Sequence, residues 1–172
     1  MAVDRENTEE TLDTLKVGDQ VFYPSHGVAF VSGTEEREFG SAKQVFFVLE
    51  LARGVKLMVP LSKVEKAGFR ALISADKARE LLVKIKTDPE SEIKLDFASR
   101  KKRYALYTEG LRSGSADQYT EILQELLFRS RTDKLSSSEH QTLDTAKAYF
   151  VGEVGAALDL STEEVEEELL PS

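Results

Sequence analysis

The sequence predicts an α+β protein in which a small, all-β N-terminal domain precedes an all-helical C-terminal domain. Between about residues 17 and 73, short runs rich in Val, Phe and Leu alternate with glycines, as in consecutive β-strands. After Ser74, apolar residues recur at the spacing of amphipathic helices. Serines before several of these stripes are followed three residues later by Glu or Gln, which is the capping-box spacing.

The β half contains four strand-like segments, and several short strands within about 55 residues are typical of a small twisted barrel of the SH3 or Tudor type. The segments are QVFYP, GVAFVSG, QVFFVLEL and VKLMVPL. They are bounded by turn-forming residues, namely Gly27, Gly33, Gly40, Gly54 and Pro60. Gly54 fits a hairpin turn.

The helical half contains four apolar stripes, so we expect four or five helices. The stripes are Ala78, Leu81, Leu82 and Ile85; Tyr104, Tyr107 and Leu111; Tyr119, Ile122, Leu123 and Leu126; and Leu143, Ala146, Phe150, Val154, Ala157 and Leu158. Capping boxes are predicted for Ser115 with Gln118, Ser136 with Glu139, and Ser161 with Glu164. Gly114 suits the left-handed end of the second helix, and residues 87–97 have the composition of a linker.

Composition excludes several classes of protein. The chain has 172 residues and a net charge of −8, from 31 acidic and 23 basic residues, so it is not a uniformly basic nucleic-acid binder. It has no cysteine, which excludes disulfides, thiol catalysis and cysteine-based zinc sites. The acidic N-terminus has no apolar segment of a signal peptide, and no run reaches the roughly 18 apolar residues of a membrane span. We therefore expect a cytoplasmic protein with no membrane partner.

His26 lies in the stretch YPSHG, where catalysis and a simple turn are competing interpretations. Pro24 presets φ for a turn and Gly27 supplies backbone freedom at its end, so the turn is favoured. No nucleophile lies nearby in sequence, and the chain contains no G-x-S-x-G, P-loop or G-x-G-x-x-G motif. We predict that the protein is not an enzyme and has no catalytic residue, metal site or cofactor.

The run RKKRY, Arg100 to Tyr104, places four consecutive cations at the start of a predicted helix, where the helix dipole disfavours positive charge. A local violation of this kind indicates a functional site, and phosphate is the natural ligand of such a cluster. A solvated charge run is the equally weighted alternative. Further cations extend the patch if the second and third helices form a hairpin: Arg112, Arg129, Arg131 and Lys134.

The β half is also rich in aromatic residues, with three interpretations. They can form a ligand cage of the Tudor kind, border an edge strand that pairs with a partner, or simply belong to the core. The core is favoured for most of them. The residues are Phe22, Tyr23, Phe30, Phe46 and Phe47.

Several segments in order resemble the CarD/CdnL family of bacterial transcription regulators, over roughly residues 15–169. They are VGDQVFYPSHGVAFV, FFVLEL, KLMVPLSKVEKAGFRALIS, KKRY with GLRSGS, and LSSSEHQTLDTAKAYFVGEV. The resemblance implies a Tudor-like domain that binds the RNA polymerase β subunit (residues 15–73) and a helical domain (residues 74–172). Residues 1–14 lie outside the match, and we expect them to form an acidic disordered tail. The helical domain would touch promoter DNA and stabilise the open complex. It also implies nucleoid association through polymerase.

Site residues follow from the same resemblance, position by position. On the polymerase-binding surface the matching residues are Arg37, Met58 and Pro60, and the basic pair used on DNA matches Lys102 and Arg103, beside Lys101. The family tryptophan, four residues before the helix tyrosine, corresponds to Arg100, and this chain has no tryptophan. Phe97 is then the candidate apolar wedge, or Arg100 reads the groove electrostatically.

We expect a monomer that binds promoter DNA weakly when alone. Two alternatives stay open at the level of sequence. One is a polymerase-binding adaptor that never touches DNA, and the other is a Tudor-like peptide-binding module with the helices as scaffold.

Overall fold

A computed structural model describes residues 15–89, 100–132 and 134–170. The chain divides between Leu72 and Ile73 into two compact units, the first built on β-strands and the second on helices. The predicted α+β fold class is confirmed. The acidic tail of residues 1–14 and the part of the predicted linker from 90 to 97 lie outside the described residues.

The described residues of the β unit form an antiparallel five-stranded sheet with the strand order β4-β3-β2-β1-β5, in which β4 and β5 are the edges. Gly54, with φ of 74°, ends the short 3-10 turn Ala52–Gly54 between β3 and β4, as the hairpin prediction requires. The strands are β1 Gln20–Tyr23, β2 Gly27–Phe39, β3 Ala42–Leu51, β4 Lys56–Pro60 and β5 Arg70–Ala71. A second 3-10 turn, Leu61–Lys63, and a short helix α1, Val64–Ala67, connect β4 to β5.

Strand β2 is longer than the sequence predicts, because it continues through the polar stretch GTEEREF to Phe39. Gly33, predicted to bound a strand, lies inside β2 beside a bulge, where the pairing shifts between Val31 and Gly33. Opposite charges across the two strands support the extension, since Lys43 Nζ on β3 lies 3.0 Å from a carboxylate oxygen of Glu36 on β2. The result is a long β2–β3 hairpin arm.

The YPSHG stretch forms a turn between β1 and β2, which confirms the structural interpretation of this segment. The His26 amide donates to the Tyr23 carbonyl oxygen at 2.9 Å. Pro24 occupies the second position, and Ser25, with φ of 73°, occupies the third. A positive φ at the third position after proline defines a type II turn. Serine stands where this turn normally takes glycine.

The described residues of the helical unit form five helices, within the predicted range of four or five. They are α2 Ala75–Ile85, α3 Arg100–Ser113, α4 Ala116–Thr132, α5 Ser137–Leu158 and α6 Thr162–Glu168. The capping boxes at Ser136 and Ser161 are confirmed, and Gly114 has the left-handed φ of 70° just after α3. The predicted box at Ser115 takes another form: the Ser115 amide donates to the Ser113 hydroxyl, which itself donates to Gln118 Oε1 at 2.8 Å.

Helices α3 and α4 form an antiparallel hairpin, so the start of α3 lies beside the end of α4. Near the turn, a Cβ placed on Gly110 would lie 2.7 Å from Ile122 Cδ1, so the two helices touch closely there. Further along, the Tyr107 hydroxyl donates to Glu125 Oε1 at 2.8 Å. The apolar stripe predicted for α3 is partly wrong, because Tyr104 is 52% exposed. The side of α3 that is turned inward instead contains Arg103, Tyr107 and Gly110.

No helix within the described ranges combines the length and the apolar character that crossing a membrane requires.

Candidate functional site

The strand register brings the three residues predicted to contact polymerase onto one face of the β sheet. On β4, Met58 lies opposite Val48 of β3 and Pro60 lies opposite Phe46. Arg37 on β2 lies opposite Gln44 of β3. Residues directly opposite each other share a face, and so do residues two apart along a strand. The even-numbered residues 44, 46 and 48 of β3 therefore connect all three positions on a single face.

This face points away from the core of the β unit. The core uses the alternate positions, including Leu49 of β3 and Val59 of β4, which are 1% and 7% exposed. On the opposite side, Phe46 is 9% exposed, and its ring centroid is 6.0 Å from that of Phe39, which is 57% exposed. We define the outer-face strip by its residues: Arg37, Phe39, Phe46, Met58 and Pro60.

The arginine of the outer-face strip has a weak partner. Arg37 Nε lies 2.9 Å from Glu35 Oε1, and both side chains are about half exposed. An exposed pair of this kind contributes only about 0–1 kcal/mol to stability, because water screens both charges. Arg37 can therefore exchange Glu35 for a partner's carboxylate at little cost.

A groove of about 530 Å³ adjoins the strip at the edge strand β4. Met58 and Pro60 line it, and Lys63 and Lys66 add two cations. Tyr23 also lines it and packs edge-on against Phe69, with ring centroids 4.4 Å apart. Tyr23 is the one aromatic residue among the described residues that line the groove, which is fewer than an aromatic cage for a cation uses.

The basic run at the start of α3 separates into two environments. Lys101 and Lys102 are exposed, and so is Tyr104, two residues after Lys102. Arg103 points inward, with its side chain 12% exposed. Phe97 lies outside the described residues, and nothing is described of the Arg100 side chain. Lysines 101 and 102 are therefore the described residues of the predicted DNA-binding set that are presented to solvent.

Arg103 belongs to a buried charge cluster that the sequence did not predict. Its Nη2 lies 3.5 Å from Glu139 Oε1, and Arg129 Nη2 lies at the same distance from the same oxygen. The Glu139 side chain is 6% exposed. Tyr107 and Glu125 complete the cluster through their 2.8 Å hydrogen bond. Two guanidinium groups thus share one carboxylate, and their charges also act on the neighbouring Tyr107 hydroxyl.

The cluster changes the proton affinity of its members. Burial raises the pKa of the Glu139 carboxyl, but hydrogen bonds from the Ser136 amide and hydroxyl and the charges of Arg129 and Arg103 outweigh it, so the pKa is lowered. Burial raises the pKa of the Tyr107 hydroxyl, and its hydrogen bond to ionised Glu125 raises it further. Glu139 therefore stays ionised and Tyr107 stays protonated at neutral pH.

The other cations that sequence predicted to extend the basic patch lie at different places. Arg129 is inside the cluster, with 12% of its side chain exposed. Arg131 and Lys134 are exposed, and the α3–α4 hairpin brings the end of α4 to the same end as Lys101. Arg112 lies in the last turn of α3 and therefore at its opposite end, about 17 Å from Lys101 at 1.5 Å per residue.

His26 is exposed, and its ring centroid lies 4.7 Å from that of Tyr23. Its role in the turn is carried by its backbone amide rather than its side chain. Among the described residues, no group of three or more His, Asp and Glu side chains is arranged to hold a metal ion.

Comparison with known proteins finds a family model that matches residues in each unit. Residues 15–73 match the family model described as "CarD-like/TRCF RID domain", and residues 82–170 match "CarD, C-terminal domain". The chain belongs to the CarD family. A curated relative, named "Putative transcription factor YdeB", from Bacillus subtilis (strain 168), is 26% identical over 141 residues, which cover 81% of this chain and 90% of the relative.

The family is one of transcription factors, so membership supports a role in transcription regulation. The RID family also implies interaction with RNA polymerase in general.

Proposed function

We propose that this protein is a non-enzymatic transcription regulator that binds the RNA polymerase β subunit and stabilises the promoter open complex. The observation that carries the proposal is the convergence of Arg37, Met58 and Pro60 on one face of the sheet, directed away from the core. The three residues come from strands separated by up to 23 positions in sequence, since 60 − 37 = 23. Pairing of β2 and β4 with β3 places them on one face, and none of the three belongs to the apolar core of the β unit.

The chemistry of the outer-face strip suits a protein partner. Arg and Met are enriched at protein interfaces, and the exposed Phe39 next to the buried Phe46 offers an apolar centre. Strand β4 is an edge of the sheet, and an edge strand can also add a strand from a partner by main-chain hydrogen bonds. The adjoining groove at Met58 and Pro60 gives room for a partner side chain.

The helical unit is proposed to contact promoter DNA through Lys101 and Lys102 at the start of α3. A net charge of −8 opposes DNA binding by the isolated protein, and two lysines neutralise few phosphates. Once the β unit is bound to polymerase, the local DNA concentration rises to about the millimolar range, so a weak contact is sufficient. The contact would then lengthen the lifetime of the melted promoter.

The test of polymerase binding is a charge reversal with a matched control on the same hairpin arm. We expect Arg37→Glu to weaken binding to RNA polymerase by about tenfold or more, since tenfold corresponds to about 1.4 kcal/mol. Lys43 is exposed and lies opposite Glu38, on the other face of the arm, so Lys43→Glu should leave affinity near that of the native chain. Calorimetric titration measures both. An equal loss of polymerase affinity in the two variants would contradict the proposal that polymerase binds the face containing Arg37.

A polymerase-binding adaptor without DNA contact is the second candidate, favoured by the inward position of Arg103. The two candidates differ in the lifetime of promoter complexes challenged with a competitor. DNA contact predicts that Lys101→Glu with Lys102→Glu shortens the lifetime while polymerase affinity is unchanged. Arg112→Glu, at the opposite end of α3, is the control. A native lifetime for the double variant would favour the adaptor.

A further inference from the structure

One carboxylate connects three helix ends in the helical unit. Glu139 lies in the first turn of α5, Arg103 in the first turn of α3 and Arg129 in the last turn of α4. Each arginine places its Nη2 3.5 Å from Glu139 Oε1, and each arginine side chain is 12% exposed. The two arginines therefore have the same distance to Glu139 and the same burial, and differ in the helix that they anchor.

The two oxygens of Glu139 have separate contacts. Oε2 accepts hydrogen bonds from the Ser136 amide and hydroxyl, both at 2.9 Å, and so completes the capping box of α5. Oε1 faces the two guanidinium groups. Capping thus holds the carboxylate through contacts that do not involve the arginines, and the anchor point for α3 is part of the capping geometry of α5.

Anchoring Arg103 determines where its neighbours point. An α-helix turns by about 100° per residue, so Lys101 projects about 160° away from Arg103 around the helix axis, and Lys102 about 100° away. When the Arg103 side chain is held in the core, Lys101 and Lys102 must face solvent. The dipole at a helix start disfavours a cation, and the Glu139 charge offsets this for Arg103.

We propose that Arg103 is a positioning residue: bound to Glu139, it fixes the first turn of α3 so that Lys101 and Lys102 are presented to DNA, and it does not itself contact DNA. This inference rests on the proposed function. It assigns the basic run two different roles, with phosphate contact for the lysines and orientation for the arginine. It also gives Glu139, an acidic residue, a part in DNA binding.

The experiment measures the lifetime of polymerase–promoter complexes against a competitor at several salt concentrations, with the full-length protein. A residue that neutralises a phosphate contributes about 0.9 to the slope of log affinity against log salt. We expect Lys102→Met to reduce the slope of log lifetime against log salt by about that amount. Arg103→Met removes the same charge but should shorten the lifetime several-fold with the slope unchanged.

Glu139→Gln gives the opposite charge change and the sharpest test. The substitution makes the chain less negative, so electrostatics alone would lengthen the complex lifetime. Glutamine also completes a capping box, so the start of α5 is kept. The positioning role predicts a shorter lifetime, because the charge that holds Arg103 is lost.

Arg129→Met is the matched control for a general loss of stability. Arg129 has the same partner, distance and burial as Arg103 but anchors the end of α4, so its variant should keep a near-native lifetime. An equal loss in both arginine variants would overturn the proposal, as would a flattened slope for Arg103→Met or a longer lifetime for Glu139→Gln. If Arg103→Met does not fold, as judged by circular dichroism, Glu139→Gln decides alone. No effect of Lys102→Met would instead contradict the proposed DNA contact itself.

Discussion

The β unit and the helical unit place their charges differently. Among the described residues, the buried polar and charged side chains all belong to the helical unit: Thr120, Gln124, Glu125, Glu139, Thr142 and Glu153. The core of the β unit is apolar, and its ion pairs lie at the surface, as in Lys43 with Glu36. In the β unit, the candidate binding residues lie apart from the core. In the helical unit, the candidate binding residues are next to a charge cluster in the core.

This difference has a consequence for how each unit tolerates change. In the β unit, Arg37 and Met58 lie on the face opposite the core, so substitution there can alter binding and leave the fold intact. In the helical unit, Lys102 and Arg103 are consecutive. Lys102 is exposed, while only 12% of the Arg103 side chain is exposed. If both sites act as proposed, stability and binding are coupled at the start of α3 and separable at Arg37 and Met58.

The largest effect is expected for Glu153→Ala in α5. Glu153 is fully buried, and its two oxygens accept hydrogen bonds from the Ile73 amide at 2.9 Å and the Tyr119 hydroxyl at 2.7 Å. Alanine leaves two buried donors without these acceptors and opens a cavity, so unfolding should become easier by about 3 kcal/mol or more. Denaturation followed by the helical circular dichroism signal measures this.

If the two units differ in this way, loss of an exposed carboxylate in the β unit should cost much less stability than loss of the buried Glu153 carboxylate. Glu36→Ala in the β unit removes an ion pair whose side chains are more than half exposed, and should change stability by about 0–1 kcal/mol. Glu109→Ala, on the exposed side of α3, controls for loss of a glutamate within a helix. A cost for Glu36→Ala similar to that of Glu153→Ala would show that the two units do not differ in this way.

Sequence predicted the fold class and most elements, but not the surface that the β unit presents. Met58 and Pro60 are two apart, so their common face follows from strand period alone. Arg37 lies on the other side of the bulge at Ser32, which shifts the register between β2 and β3 by one residue. A one-residue shift reverses the face of every later side chain, so a sequence pattern could not relate Arg37 to Met58.

In the helical unit, the error at α3 has a similar origin. The stripe through Tyr104, Tyr107 and Leu111 treats every tyrosine as core, whereas the inward side contains Arg103 and Gly110. An arginine is placed inside only when a partner exists, and that partner, Glu139, is 36 residues away in sequence, since 139 − 103 = 36. Sequence did predict the capping role of Glu139, which is the local one of its two contacts.

A smaller effect is expected in the pH dependence of stability at Glu139. The pKa of Glu139 is lowered in the folded state because the Ser136 hydrogen bonds and the Arg129 and Arg103 charges outweigh burial. A carboxyl with a lowered folded-state pKa stabilises the fold above its unfolded value of about 4.5, and this contribution is lost as pH falls through the folded-state pKa. We expect the stability difference between the native chain and Glu139→Gln to be largest near pH 6 and to narrow below pH about 4.5.

The matched control is the second capping box. Glu164 occupies the same position in α6, and hydrogen bonds from Ser161 lower its pKa, but it is exposed and no arginine charge acts on it. Glu164→Gln should therefore remove less of the pH dependence than Glu139→Gln. Denaturant midpoints at pH 6, 5 and 4 separate the two. Identical pH profiles would mean that capping alone, and not the arginine pair, lowers the pKa of Glu139.

The smallest effect tests backbone strain in each unit. Ser25 in the β1–β2 turn and Asp159 at the end of α5 are the non-glycine residues with positive φ in the described chain, at 73° and 55°. A strained residue of this kind destabilises the fold by about 1–3 kcal/mol, and glycine removes this strain. Glycine also raises the entropy of the unfolded chain, which offsets about 0.4–1 kcal/mol of the gain. We expect Ser25→Gly to stabilise the β unit by about 0.5–1 kcal/mol. Asp159→Gly should be close to neutral, because aspartate tolerates the left-handed region.

The control is Ser41→Gly in the β2–β3 turn, where φ of the serine is not positive and glycine only adds unfolded-state entropy, which should destabilise by about 0.5–1 kcal/mol. Thermal unfolding resolves changes of this size, since 1 kcal/mol shifts the Tm of a domain of 60–100 residues by about 4–8 °C. We expect the Tm of Ser25→Gly to be above that of the native chain, the Tm of Asp159→Gly to be near it and the Tm of Ser41→Gly to be below it. If Ser25→Gly lowers the Tm as Ser41→Gly does, the type II turn stores no strain at Ser25. The Ser25 hydroxyl or its effect on the turn residues Pro24 and His26 would then account for serine at this position.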